Sequence, residues 1–292
     1  MQLESLKVFC DLSETESFTK AAQINHVTQS AVSQTISTLE RHFKALLIER
    51  SKKNFRLTPE GEVLYEYSKQ ILQSYQAFQS KVQELQGVVS GDIRVTTVHS
   101  IGLYDLPPYV KRFLQDCPGV NVHVEYRRAS EVYEEVLGHV ADLGLVAFPE
   151  RDTKLETVVF RHDPLVVVCH PQHPLAKMKS VKLKALGGHK LVGFERDIPT
   201  RKALDRLLQD GGVKADYAMQ LDDIETVKQA VELDYGVAVL PEETIRGEVA
   251  NRTLAAVRLE GNYSRPLAVI YKNGKVLSPA MKQFIELLKT PL

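Results

Sequence analysis

The sequence predicts a mixed α/β fold in three parts: a small helical head, one long helix and a larger two-lobed α/β body. Three observations carry this. Apolar residues near the N-terminus recur every three or four positions, as on helices. From Thr58 to Val89 one apolar stripe runs with a mean repeat of about 3.5 residues, a coiled-coil-like period. After "VVSGD", 88–92, strand and helix patterns alternate, which argues for a parallel sheet with helices on its faces.

The chain has 292 residues, enough for about two or three compact units. It is 43% hydrophobic and 25% charged, and its net charge is zero. With no overall basic excess, a nucleic-acid reading has to rest on local patterning. Cys10, Cys117 and Cys169 are odd in number and scattered, which fits buried thiols in a reducing compartment. "MQLESLKVFCDLSE" has early acids and no long apolar run, so it does not read as a signal peptide. No stretch approaches the roughly 18 apolar residues of a membrane span. The expected location is the cytoplasm.

In the head, Leu3, Leu6, Phe9 and Leu12 mark a helix over 3–13. Ser17 stands as N-cap of a short helix through "FTKAAQ", and the turn "INHV" follows. Thr28 caps the next helix, whose apolar positions Val32, Ile36, Leu39 and Phe43 step by four, three and four. Ala21 and Ala22 are small enough to let the two helices approach. This is a helix-turn-helix outline. "LLIERSKKNFRLT", 46–58, alternates loosely and reads as a two-stranded hairpin.

Thr58-Pro59 opens the long helix, with Thr as N-cap and Pro at the first helical position. It should run to about Val89. Leu64, Tyr67, Ile71, Phe78, Val82 and Leu85 form its stripe, which wants a partner helix from a second chain. In the body, "IRVTTV", "VNVHVEY", "DLGLVA", "PLVVVCH", "HKLVGF", "DYAMQL", "GVAVLP" and "RPLAVIYK" read as strands. The helices are "LPPYVKRFLQDCPG", "SEVYEEVLGHV", "TRKALDRLLQD", "DIETVKQAVEL" and "SPAMKQFIELLK". "VADLGLVA" and "ELDYGVAVLP" echo one another, a weak internal symmetry of two similar lobes. The last strand–helix pair completes the first lobe.

If Val32, Ile36, Leu39 and Phe43 face inward, Gln29, Ser30, Ser33, Gln34 and Ser37 face outward, with Thr28 at the helix start. Amides and hydroxyls are what a helix needs to read base edges in a major groove, whereas a Lys-rich face would bind any sequence. Phosphate attraction comes from Arg41, Arg50, Lys52, Lys53 and Arg56, with Thr58 beyond them and the hairpin tip as a wing over the backbone.

On these residues the first ninety positions resemble LysR-type transcriptional regulators. "SFTKAA", "TQSAVSQTISTLE", "LLIERS" and "LTPEG" are the specific segments; "ADLGLV" and "DYGVAVLP" extend the resemblance through the C-terminal part. It implies a winged helix-turn-helix DNA-binding domain over 1–58 and a linker and dimerisation helix over 59–90. It implies a two-lobed effector domain resembling periplasmic binding proteins, with lobe I over 91–161 plus 266–292 and lobe II over 162–265. It further implies a homotetramer built as a dimer of dimers, double-stranded DNA with an interrupted palindrome, a small-molecule effector between the lobes and RNA polymerase as a further partner. Many relatives carry Ser-Gly-Thr-Arg where the second lobe's helix begins. This chain has "DIPTR", 197–201, a departure that concerns the ligand rather than the fold.

Ligands of open α/β sheets sit at strand carboxyl ends, and helix N-termini there favour anions. Ser100, Ile101 and Gly102 follow one strand, Ser130 follows the next, and Thr200 lies between Arg196 and Arg201. Phe148 follows "DLGLVA" as an apolar wall. Each Ser or Thr could equally be a plain helix cap, and Gly102 plain turn geometry. The arginines suggest a carboxylate or other anion. His162, Cys169, His170 and His173 cluster in sequence, but a strand points Cys169 and His170 to opposite faces. No metal and no cofactor are expected. A ligand-responsive transcription factor is therefore the leading expectation. A two-lobed small-molecule binding protein without a regulatory role is the alternative. With no G-x-S-x-G, P-loop or H-E-x-x-H in the chain, an enzyme is the third reading.

Overall fold

The computed structural model describes residues 2–49, 55–85 and 89–291. The chain divides into two compact units, Met1–Val89 with Val276–Pro279, and Ser90–Lys275 with Ala280–Leu292.

The first unit opens with α1 (Leu3–Thr15), α2 (Phe18–Ile24) and α3 (Gln29–Phe43). Ser17 and Thr28 accept first-turn N–H groups that have no partner inside a helix, from Lys20 and Ala31 respectively. Leu6, Phe9 and Leu12 meet Ala21 and Ala22 and the ridge Val32, Ile36 and Leu39 in one core. Asn25 fastens the turn to α1: its Nδ2 donates to Asp11 Oδ2 at 2.7 Å, and Lys7 Nζ donates to its Oδ1 at 3.0 Å. Phe43 departs from the expected ridge and is 43% exposed. The helix ends there and Lys44 turns left-handed, so the buried ridge stops at Leu39.

The hairpin over 46–58 is represented by one antiparallel bridge, Ile48 with Leu57. Glu49 N–H donates to Arg56 O at 2.9 Å, and Thr58 N–H to Leu47 O at 3.1 Å. Arg50, Lys52 and Lys53, at the expected tip, lie outside the described residues. Helix α4 is described over Pro59–Leu85; residues 86–88 of its expected end lie outside the described residues, and Val89 is not helical. Thr58 Oγ1 accepts from Gly61 N–H at 3.0 Å and donates to Leu46 O at 2.6 Å. A Cβ on Gly61 would lie 2.1 Å from Leu47 O, so only glycine lets α4 start this close to the preceding strand.

The second unit contains β1 (Ser90–Val98), α5 (Leu106–Asp116), β2 (Gly119–Arg127), α6 (Ala129–Leu137), β3 (Leu143–Ala147) and the long β4 (Leu155–Cys169). There follow β5 (Ser180–Val181), β6 (Lys190–Phe194), α7 (Pro199–Asp210), β7 (Asp216–Leu221) and α8 (Ile224–Glu232). The remainder is β8 (Ala238–Pro241), α9 (Arg246–Asn251), β9 (Ala255–Leu259), β10 (Ser264–Lys272) and α10 (Pro279–Lys289). The main sheet runs β2-β1-β3-β10-β4-β9-β5, with β8 also on β4, and β6 pairs β7.

The sheet is mixed, not parallel throughout. β1 is parallel to β2 and β3, and β6 to β7, but β10 is antiparallel to β3 and β4. β9 and β10 follow one another along the same long β4, both antiparallel to it, with only residues 260–263 between them. β4 joins the lobes. Over Leu155–Pro164 it pairs with β10, and over Leu165–Cys169 with β8 and β9. The sequence shows only its second half as a strand, because Pro164 reads as a start. In the structure Pro164 marks the change of partners, a position where a strand tolerates proline. Asp142 fastens lobe I from within: it accepts from Lys275 Nζ at 2.8 Å and from Arg94 N–H at 2.9 Å. Burial works to raise its carboxyl pKa, but Lys275 and Arg94 outweigh that and hold it below the ordinary value.

Candidate DNA-reading face and ligand cleft

On α3 the buried ridge fixes the opposite face. Thr28, Gln29, Ser30, Ser33, Gln34 and Ser37 are all exposed. Thr28 and Ser30 hydroxyls bond each other at 2.8 Å, while Thr35 and Thr38 turn back on Ala31 O and Gln34 O. The side chains of Gln29, Ser33, Gln34 and Ser37 have no hydrogen-bond partner among the described residues. Arg41 and Arg56 are exposed as well. Thr58 is not free for a phosphate, since its hydroxyl is committed to Leu46 and the start of α4. Glu40 ties the end of α3 to the wing by accepting from Leu47 N–H at 3.1 Å.

On α4, Tyr67, Ile71, Phe78, Val82 and Leu85 are exposed, and Val63 and Tyr75 extend the row. Leu64 belongs elsewhere. It packs with Tyr65 and Leu72 against the head's own core. The sequence stripe merged these two faces because a 3.5 repeat drifts slowly around a helix.

Between the lobes of the second unit lies a cavity of about 340 Å³. Lobe I contributes Val98, His99, Ser100, Arg128, Ser130 and Tyr133; lobe II contributes Phe194, Ile198, Thr200, Lys202, Asp222 and Ile224. Three helices begin at this cavity. The first turn of α8 is capped by Asp223, which accepts from Glu225 N–H at 2.8 Å and Thr226 N–H at 3.0 Å. Burial raises the Asp223 pKa, but these bonds outweigh it and hold the carboxyl below the ordinary value. The start of α7 carries no such side-chain cap, so its free N–H groups and dipole remain available to an anion, whereas at α6 the Glu131 carboxylate already accepts from Arg128 N–H at 2.8 Å. Ser130 and Thr200, expected as caps, are the second helical residues; Arg128 and Ile198 occupy the cap positions.

At the floor, Arg265 is 2% exposed. Its Nη1 donates to Ser100 Oγ at 2.7 Å and its Nη2 to Asp163 Oδ2 at 2.8 Å, while its Nε has no partner. Burial lowers the Arg265 pKa, against the pull of Asp163. Arg161 completes the network on Asp105 and Asp163. At the rim, Arg128 reaches Asp222 at 3.2 Å, Glu195 at 3.4 Å and Asp197 at 3.9 Å, and Lys202 faces Glu150 at 3.9 Å.

Five expected ligand residues are not brought to this cavity. Ile101 is buried. Gly102 is required by packing: a Cβ there would lie 2.5 Å from the Tyr126 ring. Phe148 packs against the core of lobe II. Arg196 is exposed away from the cavity. Arg201 is 4% exposed, donating to Phe194 O at 2.6 Å and Asp205 Oδ2 at 2.8 Å with its guanidinium 3.6 Å from the Tyr217 ring centre. Conversely, Arg128, Tyr133, Lys202 and Arg265 line the cavity and escaped sequence reasoning. Arg128 stands two residues before Ser130; Arg265 gave no signal, since its partner Ser100 is 165 positions away.

Comparison with known proteins agrees with this architecture. The family model "Bacterial regulatory helix-turn-helix protein, lysR family" matches residues 3–62, and "LysR substrate binding domain" matches residues 86–291. The RuBisCO operon transcriptional regulator of Allochromatium vinosum is 31% identical over 287 residues, covering 98% of this chain and 95% of that protein. The HTH-type transcriptional regulator CysL of Bacillus subtilis is 29% identical over 292 residues, covering 99% and 97%. Full-length OxyR from Pseudomonas aeruginosa shares the fold with a TM-score of 0.77 at 21% identity, covering 99% of this chain and 96% of that one. The chain belongs to the LysR family of helix-turn-helix transcriptional regulators, with a C-terminal effector-binding domain. The rival expectation, a two-lobed binding protein without a regulatory role, has nothing in its favour once residues 3–62 match the DNA-binding head. Among the described residues no helix is long and apolar enough to cross a membrane.

Proposed function

We propose that this regulator reads DNA through the outer face of α3 and reports an anionic metabolite held between its lobes. The observation that carries the reading is the orientation of α3, with its aliphatic ridge buried and Gln29, Ser33, Gln34 and Ser37 outward and unpaired. Gln29 and Gln34 suit bidentate contact with adenine, and Arg41 and Arg56, with Arg50, Lys52 and Lys53 of the wing, suit phosphates. The exposed row Tyr67, Ile71, Phe78, Val82 and Leu85 supports pairing through α4 with a second copy. Two such dimers on an interrupted palindrome, with RNA polymerase as a further contact, complete the assembly proposed for the cytoplasm. The domain limits fit the same scheme: 1–58 reads, 59–90 pairs, and the lobes from 91 onward sense.

The open N-terminus of α7 and the Ser100–Arg265 pair favour a small oxyanion group on the effector. Binding changes the regulator only as far as the effector prefers one lobe arrangement over the other. The cavity is proposed to bind without catalysing. The test is a footprint of the full chain on the DNA around its own gene. Protection of two related half-sites on one face of the duplex is expected. Equal affinity for that DNA and a scrambled sequence would overturn the reading.

A further inference from the structure

We propose that Arg128 is a specificity-determining residue of the cleft, held by lobe II carboxylates until an anionic group of the effector replaces them. The inference rests on the anion reading of the cleft and adds a competitor carried by the chain itself. Arg128 belongs to lobe I, immediately before α6. Its guanidinium reaches across to Asp222, Glu195 and Asp197, which lie after β7, after β6 and just before α7. Asp222 is the strongest of these partners: its hydrogen bond is the main reason the Arg128 pKa is raised. Arg128 and Asp222 both line the cavity.

A second pair of opposite sense, Glu150 of lobe I with Lys202 of lobe II, stands on the same cavity. The side chains of Arg128 and Asp222 are 52% and 54% exposed, so water screens the pair and it exchanges readily. The floor differs. Arg265 is buried with an unpartnered Nε–H, a group that gains from any acceptor reaching it. An oxyanion seated near Ser100 and the α7 N-terminus brings a second acceptor toward Arg128, and Asp222 is what it must displace. The effector class that follows is a small molecule whose oxyanion can accept from an arginine, such as a phosphate, sulfate or carboxylate. A neutral compound brings Arg128 no charge in exchange for the carboxylate it would displace.

The experiment is isothermal titration of inorganic sulfate into the full-length protein at fixed ionic strength. It compares the parent with Asp222→Asn, Arg128→Gln and the double variant. Both positions are exposed, so folding is retained. Asp222→Asn should bind sulfate roughly two- to fivefold tighter, the scale of one exposed ion pair. Arg128→Gln should bind it more weakly than the parent. In the double variant the gain from Asp222→Asn should vanish. Sulfate binding equally to all four proteins would overturn the role of Arg128 and leave the anion cleft standing. So would a gain from Asp222→Asn that persists without Arg128. Failure of all four to bind sulfate would overturn the anion cleft, and this inference with it.

Discussion

The outer face of α3 and the cleft between the lobes use similar side chains in opposite states. On α3, Gln29, Ser33, Gln34 and Ser37 project into solvent with no partner among the described residues. In the cleft, Ser100 is bonded to Arg265, Asp223 to the start of α8, and Arg128 to Asp222. An open helix face leaves its polar groups to water, whereas the cleft pairs most of its polar groups with one another. DNA on α3 therefore exchanges with water. A ligand in the cleft exchanges with bonds the protein already makes, and its selectivity depends on which of those bonds give way.

The largest expected effects lie where the body buries its charges. Asp142→Asn leaves the Lys275 ammonium facing a neutral amide, with both original side chains 4% exposed. A loss of about 3 kcal/mol is expected in urea unfolding of the full chain. Because the folded pKa of Asp142 is depressed, its contribution is fully present above the unfolded carboxylate range. It is lost as pH falls through the lower folded value, so the melting temperature of Asp142→Asn should fall less steeply in acid than that of the parent. A parallel acid limb would remove the role given to this pair. Arg201→Ala follows at about 1–3 kcal/mol, since it removes a buried donor from Phe194 O and the stack on Tyr217. If Arg201→Ala instead left stability intact and weakened anion binding, the contrast between structural and ligand arginines would be reversed.

The helix faces and the arginines mark where the sequence is legible and where it is not. Periodicity identified the faces of α3, because a single helix against a core has one buried side set by its own spacing. Val32, Ile36 and Leu39 are buried and the Gln/Ser face is exposed, and only Phe43, at the helix end, departs. Arg196 and Arg201 are five positions apart with similar sequence surroundings, yet one is exposed and the other is locked by Phe194, Asp205 and Tyr217. That choice depends on β6 and β7 arriving from other parts of the chain. Arg265 is the extreme case, since Ser100 and Asp105 come from one distant segment and Asp163 from another.

On the head, Gln29→Ala should cost about 1–3 kcal/mol of discrimination between operator and scrambled DNA in competition gel shifts, with unfolding stability unchanged within about 0.5 kcal/mol. A stability loss would mean that the α3 face has partners after all and resembles the cleft. Arg41→Ala should weaken all DNA alike and reduce the salt slope by about 0.9.

The smallest expected effect tests the contrast most directly. Arg196 lies in the segment between β6 and α7, close in sequence to Thr200, but it is exposed and absent from the cavity wall. It resembles the α3 face in having no partner among the described residues. Arg196→Ala should therefore change unfolding stability by less than about 0.5 kcal/mol and sulfate affinity by less than about twofold. Charge alone, acting at long range through salt water, cannot do more than that. A larger loss of sulfate affinity would place Arg196 against the ligand, and would show that the anion is recognised by free surface charge rather than by exchange with bonds inside the cleft.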